Sequence, residues 1–183
     1  MRAHIHAWSY RLAVIGGMAA FGLASPAGAE VALAKPDTMR ITGSVVVKAT
    51  PSAVIGAVGR IGSWWDPHHS YSGAGKNLSI DLVAGGCYCE KWEGGSVEHG
   101  RVIAFLPDKL VRLQAALGPL QKMAVNAVLD IAVKAEGEGT TISFTYLVNG
   151  SSASDLDKIA PGVDAVLMGN LQRLGRYADG GTP

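Results

Sequence analysis

Two cysteines and a glutamate lie within four residues of one another, in the segment Cys87-Tyr88-Cys89-Glu90. On a β-strand, side chains at positions i and i+2 share one face, so both thiols would point the same way and Glu90 the other. The two cysteine Cα atoms would lie about 6.6 Å apart at a rise of about 3.3 Å per residue, near the upper limit for a disulfide. Three interpretations remain open: two small buried side chains, which we favour, a strained disulfide, or soft metal ligands.

A metal site at Cys87 and Cys89 would need imidazole ligands as well, from His99 and from His68 or His69. Two cysteines are too few for a zinc-finger set, and the sequence contains no P-loop, G-x-G-x-x-G or H-E-x-x-H motif. We therefore predict no metal site and no cofactor.

The face of this strand opposite the cysteines carries Tyr88, Glu90 and Trp92. If that face points inward, burial should raise the pKa of Glu90, which could then act as a general acid or base with His99 of the next strand. If it points outward, Glu90 makes an ordinary ion pair. Hydrophobic periodicity does not show which face of the strand is buried, because one arrangement buries Lys91 and the other buries Glu90. We favour the structural role and keep a catalytic Glu90–His99 pair as the alternative.

An aromatic and histidine-rich loop contains Trp64, Trp65 and Tyr71, with His68 and His69 between them. These rings could line a pocket for a ring or an acyl chain, or they could plug one end of the core. The residues that we predict to contact a ligand are all large and aromatic or sulfur-containing. They are Trp64, Trp65, Tyr71, Tyr88, Trp92, Phe144, Tyr146 and Met168.

The elements that must position these residues follow from hydrophobic periodicity and turn residues. The pattern predicts a strand at 39–49, a short helix at 50–62 that begins with Thr50 and Pro51, and then six strands, most of them joined by tight turns. Those strands are predicted at 77–83, 87–92, 96–106, 110–117, 124–135 and 140–148. A long helix follows at 153–177, which Pro161 and Gly162 should kink or split. This order indicates an α+β fold with an antiparallel sheet covered on one face.

The N-terminal residues have the layout of an export signal. Arg2 and Arg11 precede an uncharged run at 12–24, and an A-x-A site ends at Ala29, immediately before the first acidic residue, Glu30. The run is too short to span a bilayer. We predict a Sec-type signal peptide at 1–29 with cleavage after Ala29, a linker at 30–37, one domain at 38–178 and a disordered tail at 179–183. The mature protein would be periplasmic or secreted, without an integral membrane anchor.

The charge composition argues against a nucleic-acid partner. Of the 183 residues, 16 are Lys or Arg and 15 are Asp or Glu, and neither sign forms a run. A nucleic-acid binder needs clustered basic residues for its phosphate contacts, so no nucleic-acid partner is expected. Cleavage would remove Arg2 and Arg11 and leave a net charge of −1.

Several segments resemble the START-like superfamily, also called SRPBCC or Bet v 1-like, over about residues 38–176. They lie at 64–73, 85–90, 95–99, 117–121 and 163–174. The resemblance is to the bacterial branch related to Hsp90-ATPase-activator homologues and polyketide cyclases. It implies a helix-grip fold, in which a curved antiparallel sheet wraps around a long C-terminal α-helix and leaves a deep, mainly apolar internal cavity.

The function that this resemblance implies is binding of a small hydrophobic molecule, such as a lipid, a polyketide or an aromatic compound, between the sheet and the last helix. The alternative is a cavity enzyme of the cyclase or hydrolase type that uses Glu90 and His99. A further alternative is a thiol or metal site at Cys87 and Cys89. Hsp90 is not an expected partner, because an exported protein meets neither a cytosolic chaperone nor ATP.

Overall fold

The computed structural model describes residues 30–183, and the predicted signal peptide at 1–29 lies outside the described residues. Eight strands and two α-helices follow one another along this part of the chain. The strands are β1 (Glu30–Lys35), β2 (Thr38–Val47), β3 (Leu78–Ile80), β4 (Cys87–Trp92), β5 (Gly95–Leu106), β6 (Leu110–Gln114), β7 (Asn126–Glu136) and β8 (Gly139–Asn149). The helices are α1 (Pro51–Gly59) and α2 (Leu156–Ala178).

All eight strands form one antiparallel sheet in the order β1-β2-β8-β7-β6-β5-β4-β3. The segment between β2 and β3, which contains α1, connects the two halves of the sheet, and β8 returns to pair with β2. The helix α2 crosses the inner face and packs mainly against β2 and β1. This is the predicted α+β helix-grip architecture, which the structure confirms.

The sheet is curved, and three shifts of register mark where its strands bend. They lie between Val31 and Leu33, between Tyr88 and Cys89, and between Val102 and Ala104. Each β-bulge increases the local twist of its strand pair. One tight contact in the curved region requires glycine, because a Cβ atom on Gly100 would lie 2.5 Å from the Cβ of Ala115.

The core lies between the inner face of the sheet and the two helices. Alternate residues of β8, from Thr140 to Val148, are buried, as expected for a strand with one face inward. Leu167, Leu171 and Leu174 of α2 recur at helical spacing and are buried against them. The short helix α1 begins as predicted, since the Thr50 hydroxyl accepts a hydrogen bond from the backbone N–H of Ala53 and Pro51 occupies the first turn.

Three predicted features differ from the structure. The predicted linker at 30–37 is mostly the edge strand β1, and Pro36 lies beyond the end of that strand, where its missing N–H costs no ladder bond. The helix α2 runs through the exposed Pro161 as one element and is not split there. The carboxylate of Asp179, at the start of the predicted disordered tail, accepts hydrogen bonds from the backbone N–H groups of Lys48 and Ala49.

Neither helix in the described part of the chain is both long enough and apolar enough to cross a lipid bilayer.

Candidate ligand-binding pocket

A pocket of about 890 Å³ opens at one end of the fold. Three segments form its walls: the loop at 65–71, the 3₁₀ segment that begins at Gly118, and the first half of α2. Most of the lining is apolar. The apolar side chains are those of Trp65, Leu117, Pro119, Ile159, Val163, Val166 and Leu167.

A second space lies deeper, between the sheet and the second half of α2, but it measures only about 30 Å³. It is lined mainly by large apolar side chains, among them Trp64 and Phe144, and it shares Trp65 and Leu167 with the larger pocket. Side chains therefore fill most of the space under the second half of α2. Room for a ligand lies at the first half of the helix and the two loops.

The loop that carries Trp65 is held to α2 by two hydrogen bonds and braced by a third within the loop. The Asn170 side-chain oxygen accepts from the backbone N–H of Asp66 at 2.8 Å, and Arg173 donates from Nε to the carbonyl of Trp64 at 2.6 Å. Within the loop, the Trp65 indole N–H donates to the carbonyl of His69 at 2.9 Å. The two bonds to α2 fix the backbone on either side of Trp65 from residues more than 100 positions away in the sequence, and the bond to His69 orients the indole.

The other end of the same loop is held by Glu90 of β4. Its carboxylate accepts hydrogen bonds from the backbone N–H of Tyr71 at 3.0 Å and from that of Ser72 at 2.5 Å. His99 Nε2 lies 3.0 Å from the Glu90 oxygen that Tyr71 also contacts. Glu90 has no exposed surface, so its carboxylate is buried and the donors that it contacts belong to the protein.

His99 reaches Glu90 because β5 bulges opposite β4. Tyr88 pairs with Gly100 and Cys89 with Glu98, so His99 is the extra residue and points inward. Its ring stacks on that of Tyr88 at 4.8 Å between centroids. The inner face of β4 is thus the one with Tyr88 and Glu90, which resolves the choice that periodicity left open, and Lys91 is exposed.

The electrostatics of the pair favour an ionised glutamate beside a neutral histidine. Burial raises the pKa of Glu90, but the hydrogen bonds from Ser72, Tyr71 and His99 outweigh it, so the net pKa lies below the ordinary range. Burial lowers the pKa of His99, and the neighbouring carboxylate only partly opposes this. The expectation of a raised Glu90 pKa is therefore wrong, because it considered burial without the donors that the fold supplies.

Tyr71 and Gln121 join two walls of the pocket. The Tyr71 hydroxyl donates to the Gln121 side-chain oxygen at 2.9 Å, and Gln121 Nε2 donates to the carbonyl of Glu98 at 2.7 Å. The segment before Gln121 is anchored from β8, because the Tyr146 hydroxyl donates to the carbonyl of Ala115 at 2.8 Å and accepts from the N–H of Leu117 at 3.0 Å. Tyr146 thus supports the pocket wall without lining it.

The structure brings only some of the predicted ligand-contact residues together. Trp65 and Tyr71 line the large pocket, and Trp64 and Phe144 line the small space. The other four, which line neither cavity, are Tyr88, Trp92, Tyr146 and Met168.

Ile159, Val163 and Val166 of α2 line the pocket, although none of them was among the ligand-contact residues predicted from the sequence. His68 and His69 of the loop also contribute to the lining, and both side chains are exposed. The signal for the helix residues was present, since their spacing places them on one face, but spacing alone does not show whether a face meets side chains or open space.

Cys87 and Cys89 form a disulfide on the outer face of β4. Their Cα atoms are 5.4 Å apart, closer than in a regular strand, at the point where the register shifts between Tyr88 and Cys89. Both residues are half-buried, so the favoured interpretation as two buried thiols is wrong. In this oxidised form neither sulfur is a thiolate, and no cluster of potential metal ligands occurs in the described range 30–183.

No protein-family model matches the sequence, and a search of curated proteins finds no match. Solved structures, in contrast, match the fold over most of the chain. CalU16 from Micromonospora echinospora is 18% identical, with a TM-score of 0.56, and the match covers 88% of this chain and 80% of that one. Ara h 8.0201 is 12% identical, with a TM-score of 0.53, over 77% of this chain and 97% of that one.

The di-domain ARO/CYC StfQ from the steffimycin biosynthetic pathway is 11% identical, with a TM-score of 0.54. The match covers 79% of this chain and 52% of StfQ, so the chain spans about half the length of that two-domain protein. At such identities the likeness concerns the fold, and it agrees with the sequence resemblance. The chain has a helix-grip fold, which it shares with these solved structures.

Proposed function

We propose that this protein binds a small hydrophobic molecule in the pocket between the loop at 65–71, the segment at 117–122 and the first half of α2. The observation that carries the proposal is the pocket itself, with a volume of about 890 Å³ and a mainly apolar lining. Ligand sites in proteins typically have volumes of about 300–1,000 Å³ and a similar mixture of apolar surface and a few polar groups.

The class of ligand is a lipid, a polyketide or an aromatic molecule. The indole of Trp65 and the half-exposed ring of Tyr71 offer flat apolar surfaces to a ring system, and the helix side offers branched aliphatic side chains to an acyl chain. StfQ, a protein of the steffimycin biosynthetic pathway, shares the fold. That likeness supports including polyketides among the candidates.

The first experiment measures binding of Nile red, a neutral apolar dye whose emission rises in apolar surroundings. The wild-type protein should bind it, and Val163→Trp should weaken binding at least about tenfold, because an indole in place of an isopropyl group fills pocket volume. Val46→Trp is the matched control, since Val46 is an exposed residue on β2. Equal binding by the wild type and Val163→Trp, with both folded, would contradict the proposal.

A cavity enzyme that uses Glu90 and His99 is the second candidate, and the 3.0 Å contact between them favours it. Binding is preferred, because Glu90 is fully buried, its oxygens already accept from protein donors, and neither residue lines the pocket. The enzyme hypothesis predicts a turnover that Glu90→Gln and His99→Asn both abolish while Nile red binding persists. A substrate that both variants convert at the wild-type rate would exclude it.

We also propose that the chain is exported and cleaved after Ala29. The N-terminal pattern of Arg2, the uncharged run and the A-x-A site supports this. The disulfide between Cys87 and Cys89 adds support, because disulfides persist in oxidising compartments.

A further inference from the structure

We infer that the ligand is an amphipathic organic anion, with its apolar body against Trp65 and α2 and its charged group at Lys122. The inference rests on the proposed binding function and names the chemical class of the ligand. It starts from the charges around the pocket rather than from its apolar surface.

The lining of the pocket contains basic side chains and no carboxylate. The basic residues are His68, His69, Lys122 and Lys158. Two of them are paired with aspartates outside the lining: His68 Nδ1 lies 2.9 Å from Asp66, and Lys158 Nζ lies 2.9 Å from Asp155. The charged side chains that meet a ligand are nonetheless the two lysines, and no carboxylate faces them within the lining.

This bias does not follow from the charge of the whole protein. Arg2 and Arg11 lie before residue 30, so residues 30–183 contain 14 Lys and Arg against 15 Asp and Glu. A pocket without any carboxylate in a chain with slightly more acidic than basic residues is therefore a local property. It makes the wall of this pocket more favourable to an anionic group than to a cationic one.

Lys122 is the cation in the lining whose charge is least neutralised. Within residues 30–183 no carboxylate oxygen lies within 4.0 Å of its Nζ, in contrast to Lys158. It is an exposed residue at the end of the 3₁₀ segment that forms one wall, and its side chain contributes to the lining. A ligand whose apolar body lies on Trp65 and Val163 can place an anionic group at Lys122, whereas a cationic group would be repelled.

The test compares three probes with the same chain length: decanoate, decan-1-ol and decylamine. Each displaces Nile red from the full mature protein, and the measured quantity is the concentration at half displacement. At about 0.01 M salt, decanoate should act at about a tenfold lower concentration than decan-1-ol, and decylamine should be weakest. The advantage of decanoate should shrink at about 1 M salt, where the Debye length is about 3 Å.

Lys122→Gln should remove most of the advantage of decanoate and leave displacement by decan-1-ol unchanged. Lys134→Gln is the matched control, because Lys134 is an exposed lysine of β7 that also has no carboxylate within 4.0 Å in the described chain. Equal displacement by decanoate and decan-1-ol would overturn the inference but leave the binding function standing. An advantage that survives Lys122→Gln would also overturn it. If no probe displaces the dye and the dye itself does not bind, the binding function fails instead.

Discussion

Glu90 shows how a buried charge can organise a loop. The carboxylate has no exposed surface, yet it is ionised, because it accepts from two backbone N–H groups and from His99. The two backbone donors belong to Tyr71 and Ser72, so the side chain fixes the segment that presents Tyr71 to the pocket. Glu90 therefore positions one wall of the pocket.

Replacing Glu90 by Gln should destabilise the protein by about 2 kcal/mol. The side-chain NH₂ group would face a backbone N–H, so that this backbone donor would lose its acceptor. Chemical denaturation of the variant and the wild type would measure this. Glu98→Gln is the matched control, because Glu98 is exposed and pairs only with exposed Arg101, so its loss should change stability by no more than about 0.5 kcal/mol. Equal effects of the two substitutions would show that Glu90 does not anchor the loop.

The pKa of His99 determines a prediction of how the stability of the fold depends on pH. Its pKa in the folded protein lies below the ordinary value of 6.5, because burial disfavours the charged ring. The unfolded chain therefore takes up the proton first, and stability should decrease as the pH falls below about 6.5. The lowered pKa of Glu90 adds a further loss of stability in more acidic solution, below its ordinary value of 4.5.

The corresponding measurement is the melting temperature as a function of pH. His99→Asn should flatten the decrease just below about pH 6.5, whereas His68→Asn should retain it, because the His68 side chain is 88% exposed. A wild-type melting temperature that is constant from about pH 7.5 to about pH 5, the range in which histidine titrates, would contradict the assignment.

At the scale of an element, the disulfide in β4 closes a very short loop. Only Tyr88 lies between Cys87 and Cys89, so the bond removes little freedom from the unfolded chain. The chain-entropy relation gives about 1.5 kcal/mol for a loop of this size, well below the value for a bond between distant segments. The bond is therefore not the main source of stability in this domain.

The double variant Cys87→Ala, Cys89→Ala should accordingly lose about 1.5 kcal/mol or less and remain folded. Denaturation of the variant and of the oxidised and reduced wild type would test this, with the reduced protein expected to match the variant closely. Failure of the double variant to fold would show that the bond holds the bulge between Tyr88 and Cys89 in place, a role that loop entropy does not describe.

The elements differ in how well the sequence predicted them, and the reason is the strength of local signals. The strand β4 was predicted at its observed bounds and β8 within one residue, because turn glycines end both strands and β-branched residues fill β8. The edge strand β1 was predicted as a linker, since Pro36 suggested irregular structure and only pairing with β2 reveals the strand. The helix α2 is not split at Pro161, which was one of the two outcomes expected there.

At the scale of the whole molecule, the pocket is assembled from segments that local sequence patterns cannot join. Trp65 is held by residues of α2, and the wall at 117–122 is supported by Tyr146 of β8. The aromatic loop lies at this pocket, because Trp65 and Tyr71 are part of its lining. The sequence could not show that Tyr88 and Tyr146 lie behind the walls, because that depends on which strand face turns inward and on contacts between distant residues.

The predicted export of the chain links its N-terminal pattern to the chemistry of β4. If residues 1–29 direct the chain through the Sec route, the mature protein begins at Glu30 and folds where Cys87 and Cys89 can be oxidised. Expression of the full chain in a Gram-negative host, followed by intact-mass measurement of the periplasmic fraction, should therefore give one species. Its mass should correspond to residues 30–183, and it should increase by about 2 Da on reduction, because one disulfide opens to two thiols. Replacing Ala27 and Ala29 by bulky residues should block cleavage and leave the full-length mass. Full-length wild-type protein retained in the cytosol with free thiols would contradict the proposal, and the binding function would then need a cytosolic ligand.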